Sequence, residues 1–154
     1  MSTGLHLRRA VLGFVAGFVT VLTIFQLGIL LLYWFGALSN PPSYMSPTAP
    51  FGAPTAPFGV PSLFSAAFFG GLWGILFAFA EPRFPQGPAY WVTAFLFGAI
   101  LLDLVLWFVV APLKGRPLGY GFAPRGMSIG VFLHGVWGGG MGLIYRMTRG
   151  AVGV

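Results

Sequence analysis

The chain has 154 residues, of which 57% are hydrophobic and only 6% are charged. So few charged side chains cannot cover the surface of a soluble domain of this length, which excludes a water-soluble globular protein. Cysteine is absent, which excludes disulfides, thiolate metal sites and cysteine nucleophiles. The net charge of +6 does not indicate nucleic-acid binding, because the basic residues flank apolar runs and do not form one basic face.

Four apolar runs predict four membrane-spanning helices, over residues 10–36, 62–80, 89–111 and 127–145. Each run approaches or exceeds the roughly 20 apolar residues that a helix needs to cross a bilayer. The first run is too long for the apolar core of a cleavable signal peptide, typically about 7–15 residues, so we expect it to be retained. These runs predict an all-α polytopic membrane protein with four transmembrane helices in one bundle, forming a single domain over residues 1–154.

The segment between the first two runs, residues 39–61, is rich in proline and is predicted to be an irregular outer loop. It contains a tandem heptapeptide, PTAPFGA at 47–53 followed by PTAPFGV at 54–60. Such a repeat is typical of a spacer whose length is tolerated. The alternative is a polyproline-type docking segment for a partner.

Small residues recur every four positions in the second and fourth runs and form a helix-packing stripe on each. Residues four apart share one face of a helix, and small side chains let a neighbouring backbone approach closely in lipid. We therefore expect the second and fourth spans to pack on each other along these stripes. A shift of 64 residues superposes the two runs, which is expected either of two related helical hairpins or of stripes that arose independently in packed membrane helices. The stripe residues are Ala66, Gly70, Gly74 and Ala78 in the second span, and Gly130, Gly138 and Gly142, with His134 between them, in the fourth.

Three polar residues form a predicted intramembrane cluster. Asp103 lies eight residues before the end of the third run, and His134 lies seven residues after the start of the fourth. At ~1.5 Å per residue both are about 10–12 Å deep, so we expect them to contact each other, with Gln26 of the first span completing the hydrogen bonding. One interpretation is interhelical hydrogen bonding, and a second is a proton relay or binding site. A third makes His134 an axial ligand of haem or a pigment.

The distribution of basic residues predicts the orientation. With the N-terminus inside, the cytoplasmic side holds five arginines, and the outer side holds three basic residues, so both termini are expected to be cytoplasmic. The outer residues are Lys114, Arg116 and Arg125. One interpretation is a loop short enough to be carried across the membrane despite its charge, and the other is a contact patch for anionic lipid, phosphate or an acidic partner. We expect Glu81, beside Arg83 in the inner loop, to form an ion pair with that arginine or to lie in a solvated turn.

Three segments, GGLWGILFAFAEPR (70–83), WFVVAPLKGRPLG (107–119) and HGVWGGG (134–140), resemble a family of small four-helix bacterial inner-membrane proteins without an assigned activity. The resemblance implies a bacterial inner membrane and supplies no site residues. No P-loop, H-E-x-x-H or serine elbow occurs, so we assign no catalytic or metal-binding residue and require no cofactor.

The sequence does not assign a reaction or a substrate. We expect a non-enzymatic accessory or assembly component that contacts the lipid bilayer and other membrane proteins or a second copy of itself, and that binds no nucleic acid. The alternative is a small proton-coupled carrier or permease that uses the pair of Asp103 and His134.

Overall fold

Four long helices form one bundle in the computed structural model, which describes residues 2–152. They are α1 (Thr3–Trp34), α2 (Ser62–Arg83), α3 (Pro88–Leu113) and α4 (Pro124–Ala151). Each is long and apolar enough to cross a membrane. The predicted all-α four-helix architecture is therefore confirmed. The ends of the predicted single domain, residues 1, 153 and 154, lie outside the described residues.

Wide π-helical turns interrupt α1 and α3. In α1 the π segment Val21–Phe25 separates the α-helix Ser2–Thr20, which contains the start of α1, from α-helical Gln26–Trp34. Such turns occur mostly as single bulges, frequently at functional sites. In α3 there are two, and Asp103 begins the short α-helical stretch between them. The segments of α3 are Pro88–Leu96 (α), Phe97–Leu102 (π), Asp103–Val105 (α), Leu106–Val110 (π) and Ala111–Leu113 (α). In contrast, α2 is α-helical over Ser62–Ala80 and 3-10 over Glu81–Arg83, and α4 is part of the α-helix Pro124–Val152.

The proline-rich loop contains little regular structure, as predicted. A 3-10 turn covers Ser43–Met45, and two short strands, β1 (Pro54–Thr55) and β2 (Val60–Pro61), pair antiparallel. The second copy of the heptapeptide therefore folds into a small hairpin immediately before α2. A further 3-10 segment, Leu118–Gly121, lies in the loop between α3 and α4.

The helices are arranged around the bundle in the order α2, α1, α4, α3. Backbones approach closely between α1 and α2, between α1 and α4, and between α3 and α4. In contrast, α2 and α3 meet through aromatic rings, with Phe97 lying 6.3 Å from Trp73 and 5.2 Å from Phe77 between ring centroids. The expectation that the second and fourth spans pack along their stripes is wrong, because α2 and α4 are diagonal in this arrangement.

The stripe on α2 packs instead on two glycines of α1. A Cβ atom added to Gly74 would collide with the carbonyl oxygen of Gly13, and one added to Gly17 would collide with that of Gly70. The first stripe residue, Ala66, is exposed and does not take part in this contact. Gly13 and Gly17 of α1 thus form the surface that the α2 stripe covers.

The stripe on α4 packs on α3 in the same manner. A Cβ atom added to Gly98 would collide with the carbonyl oxygen of His134, and one added to Gly138 with that of Ala94. A Cβ atom on Gly142 would lie 3.2 Å from the Ala94 side chain. The remaining member, Gly130, has only the Asp103 carboxylate near its Cβ position, so it accommodates a side chain and not a backbone.

The two hairpins are therefore packed alike. In the first, the ring of Phe14 covers Gly71, and in the second, the ring of Phe95 covers Gly135. The glycines are 64 residues apart, which is the predicted register, whereas the phenylalanines are 81 residues apart. The descent of both hairpins from one duplicated unit stays a prediction.

Candidate functional site

Asp103 and His134 are in direct contact between α3 and α4. The Oδ1 atom of Asp103 lies 2.8 Å from Nδ1 of His134, and Asp103 is only 1% exposed. Local sequence makes this contact feasible. Gly98, one turn and a half before Asp103, lets the α3 backbone approach the His134 carbonyl, and Gly130 leaves space for the carboxylate at 3.3 Å from its Cβ position. The matching depths of the two residues along their helices thus correspond to a hydrogen-bonded pair.

Two buried oxygen atoms at this site have no hydrogen-bond partner within residues 2–152. The ring of Phe25 stacks on the imidazole at a centroid distance of 5.9 Å and an angle of 25°. Gln26 is buried, but within residues 2–152 it forms no hydrogen bond to Asp103 or to His134. Both the Oδ2 atom of Asp103 and the Oε1 atom of Gln26 are buried without a partner in this range. The predicted polar cluster is therefore a bonded pair plus a separate buried amide, and each unpaired oxygen retains the capacity to accept a hydrogen bond.

A cavity of about 390 Å³ reaches the pair from one end of the bundle. Its volume lies in the range of about 300–1,000 Å³ that is typical of small-molecule sites. His134 forms part of the wall, whereas Asp103 does not. Near the α1–α2 and α3–α4 loops the wall is polar, at Thr55, Ser62, Ser65 and Lys114. Farther from these loops, and apart from His134, it consists of apolar residues and one glycine: Val21, Phe25, Ala66, Phe69, Gly70, Trp73, Leu102, Leu106, Val110 and Trp137.

A part-buried ion pair lies at the opposite end of the bundle. Arg149 Nη1 is 2.7 Å from Glu81 Oε2, and Glu81 is 5% exposed. The expectation that Glu81 pairs with Arg83 or is solvated is wrong, because Arg83 instead donates a hydrogen bond to the Phe79 carbonyl at 3.1 Å. Glu81 follows the second apolar run by one residue and Arg149 follows the fourth by four residues, so both lie at the same end of the bundle. That shared position was the available sequence signal for this contact.

The three basic residues of the predicted anionic-contact patch are exposed at the cavity end, but their surroundings differ. Lys114 borders the cavity. Arg125 donates a hydrogen bond of 3.0 Å to the carbonyl oxygen of Ala37, which joins the start of α4 to the segment after α1. Arg116 lies between them in sequence and does not line the cavity.

Within residues 2–152, no group of three histidine, aspartate or glutamate side chains is close enough to hold a metal ion. Ligation of haem or a pigment by His134 stays a prediction, and its Nδ1 atom is already hydrogen-bonded to Asp103.

The fold and site define the class as a helical bundle with four membrane-length helices and a part-buried Asp–His pair. Comparison with family models, with curated proteins and with solved structures found no match for the chain. The resemblance to small bacterial inner-membrane proteins therefore stays a prediction.

Proposed function

We propose that the protein is a non-enzymatic accessory or assembly component of a membrane, in which the Asp103–His134 pair joins α3 to α4. The burial of Asp103 carries this proposal. Its carboxylate is 1% exposed, is bonded directly to the neighbouring helix and does not line the cavity. An interhelical hydrogen bond of this kind contributes about 0.6–2 kcal/mol to helix association.

The outer surface of α4 supports a role in protein contacts. Leu143 and Met147 are 43% and 67% exposed, so both side chains are available for contact with lipid or another helix. On the same helix, the Cβ position of Gly139 has no atom within 4 Å. A glycine facing open space allows the backbone of a partner helix to approach, as Gly98 and Gly138 do within the bundle.

Site-specific photo-crosslinking tests this role. A photoreactive amino acid at Gly139 or Leu143, introduced in the native host, should give a protein adduct of defined mass. The same residue at Ala16, which is 0% exposed, is the matched control and should give none. Lipid adducts alone from both α4 positions would contradict the accessory role.

We further propose a bacterial inner membrane with the Lys114 end outward. The count of five inner against three outer basic residues supports this orientation. Because the natural chain has no cysteine, Ser46→Cys provides a unique label in the α1–α2 loop. An impermeant maleimide should label it in intact cells. Labelling only after lysis would reverse the orientation.

A second candidate is a small proton-coupled carrier, and the presence of His134 in the cavity wall favours it. In that case the imidazole would exchange protons with the cavity while Asp103 balances its charge. Such a carrier requires pH-dependent uptake into proteoliposomes that is lost in Asp103→Asn.

A further inference from the structure

The two seams between the hairpins differ although the hairpins are packed alike. Between α1 and α4, a Cβ atom on Gly28 would lie 3.1 Å from the Leu133 side chain, and one on Gly140 would lie 2.8 Å from Ile24. This seam is closed by interlocking side chains. The equivalent seam between α2 and α3 is closed around Phe97 and contains the cavity toward the Lys114 end.

The shape of the cavity restricts its occupant. Its α2 wall extends from Ser62 to Trp73, which are 11 residues apart, or roughly 16 Å at ~1.5 Å per residue. Half of the ~30 Å hydrocarbon core of a bilayer is about 15 Å, so the cavity has the depth of one leaflet. A cavity of about 390 Å³ that extends over this depth is a narrow slot. Such a slot is narrower than a helix with its side chains, which is about 10–12 Å across.

The polarity of the cavity wall matches that of an amphiphile. Serine, threonine and lysine side chains lie at the mouth, and aliphatic and aromatic side chains lie below them. The ionisable side chains of this wall are those of Lys114, at the mouth, and His134. The mouth is therefore complementary to an anionic headgroup, and the interior to a single hydrocarbon chain.

We infer that the cavity between α2 and α3 holds one acyl chain of an anionic phospholipid, whose phosphate contacts Lys114. The chain lies between the two helices and ends near Trp137, which is 2% exposed but lines the cavity. The inference rests on the bundle lying in a bilayer, as proposed above, and is independent of an accessory role. The lipid is then a structural element, because its chain fills the cavity in the α2–α3 seam. The α1–α4 seam is instead closed by interlocking side chains.

Fluorescence quenching by brominated lipids tests this site. The other four tryptophans are replaced by phenylalanine, so that Trp137 is the reporter, and the protein is reconstituted in phosphatidylcholine vesicles that contain brominated-chain phosphatidylglycerol. A bulk bilayer chain does not reach a side chain with 2% exposure, so strong quenching should require entry into the cavity. Brominated phosphatidylcholine without phosphatidylglycerol should quench weakly.

Two substitutions assign the headgroup and the chain. Lys114→Gln should raise the phosphatidylglycerol fraction needed for half-maximal quenching about fivefold at low salt, and high salt should reduce the difference. Arg116→Gln removes a charge at the same end but off the cavity, so it is the matched comparison and should raise this fraction less than Lys114→Gln does. Ala66→Phe, which fills the cavity, should abolish quenching.

Quenching that is equal with both brominated lipids, or equal in Lys114→Gln and Arg116→Gln, would overturn the headgroup assignment. Absence of quenching, or quenching that persists in Ala66→Phe, would overturn the chain site. If the single-tryptophan protein does not fold, native mass spectrometry of the unmodified protein replaces it. Retention of one phosphatidylglycerol per chain is expected, and retention of none, or of phosphatidylcholine equally, would overturn the inference. Failure to reconstitute at all would instead contradict the membrane assignment.

Discussion

Adjacent glycines on α4 should respond oppositely to the same substitution. At Gly138 an added Cβ atom would collide with the Ala94 carbonyl of α3, whereas at Gly139 it would meet no atom within 4 Å. Both Gly→Ala changes gain up to about 1 kcal/mol of helix propensity. Overpacking at Gly138 costs about 1–3 kcal/mol in addition. Because the propensity gain is common to both, the difference between the variants measures the collision, and we expect Gly138→Ala to be less stable by about 1–3 kcal/mol.

The difference is measurable by reversible unfolding of the purified protein in mixed micelles with increasing dodecyl sulfate, monitored by tryptophan fluorescence. Gly139→Ala should match or exceed the unmodified protein in free energy of unfolding, and Gly138→Ala should fall below it. Equal stability of the two variants, or a more stable Gly138→Ala, would refute close packing of α3 on α4.

The same titration tests both buried pairs. Asp103→Leu should leave His134 without its hydrogen-bond partner and lower the free energy of unfolding by about 1–3 kcal/mol. Asp103→Asn combined with His134→Gln keeps a hydrogen bond and should lower it less. Equal losses of stability would contradict the pairing. Arg149→Met leaves Glu81 buried without its partner and should cost more than about 1 kcal/mol, although the 31% exposure of the arginine reduces the loss below that of a fully buried pair. Arg83→Met is the control for lost charge at the same end, and a cost as large as that of Arg149→Met would refute the assigned ion pair.

The architecture was predictable because apolar length is a local property of the chain. Four apolar runs with few or no charges require four membrane-length helices, whatever their neighbours are. The partners of the stripes were not predictable in this way. A spacing of four identifies the residues on one face, but it does not determine which helix covers that face. The pairs Gly13 with Gly17 and Ala94 with Gly98 have the same small-residue spacing, and taking them into account would have indicated packing within each hairpin.

The site shows the same division between local and tertiary information. The contact of Asp103 with His134 followed from depth arithmetic, since consecutive antiparallel helices bring residues at equal depth together. The isolation of Gln26 and the pairing of Glu81 with Arg149 depend on helix rotation and on the arrangement around the bundle. The cavity depends on a difference between two seams, and a comparison of the hairpin sequences does not reveal it.

The central claim is that the Asp103–His134 pair joins two helices and does not move protons. Proteoliposomes with an internal pH-sensitive dye and an imposed proton gradient test it directly, with unmodified protein compared with the Asp103→Asn, His134→Gln double variant. We predict the same rate of pH change for both proteins, equal to that of protein-free vesicles. A faster rate with the unmodified protein that the double variant abolishes would contradict the claim and establish a proton pathway through His134.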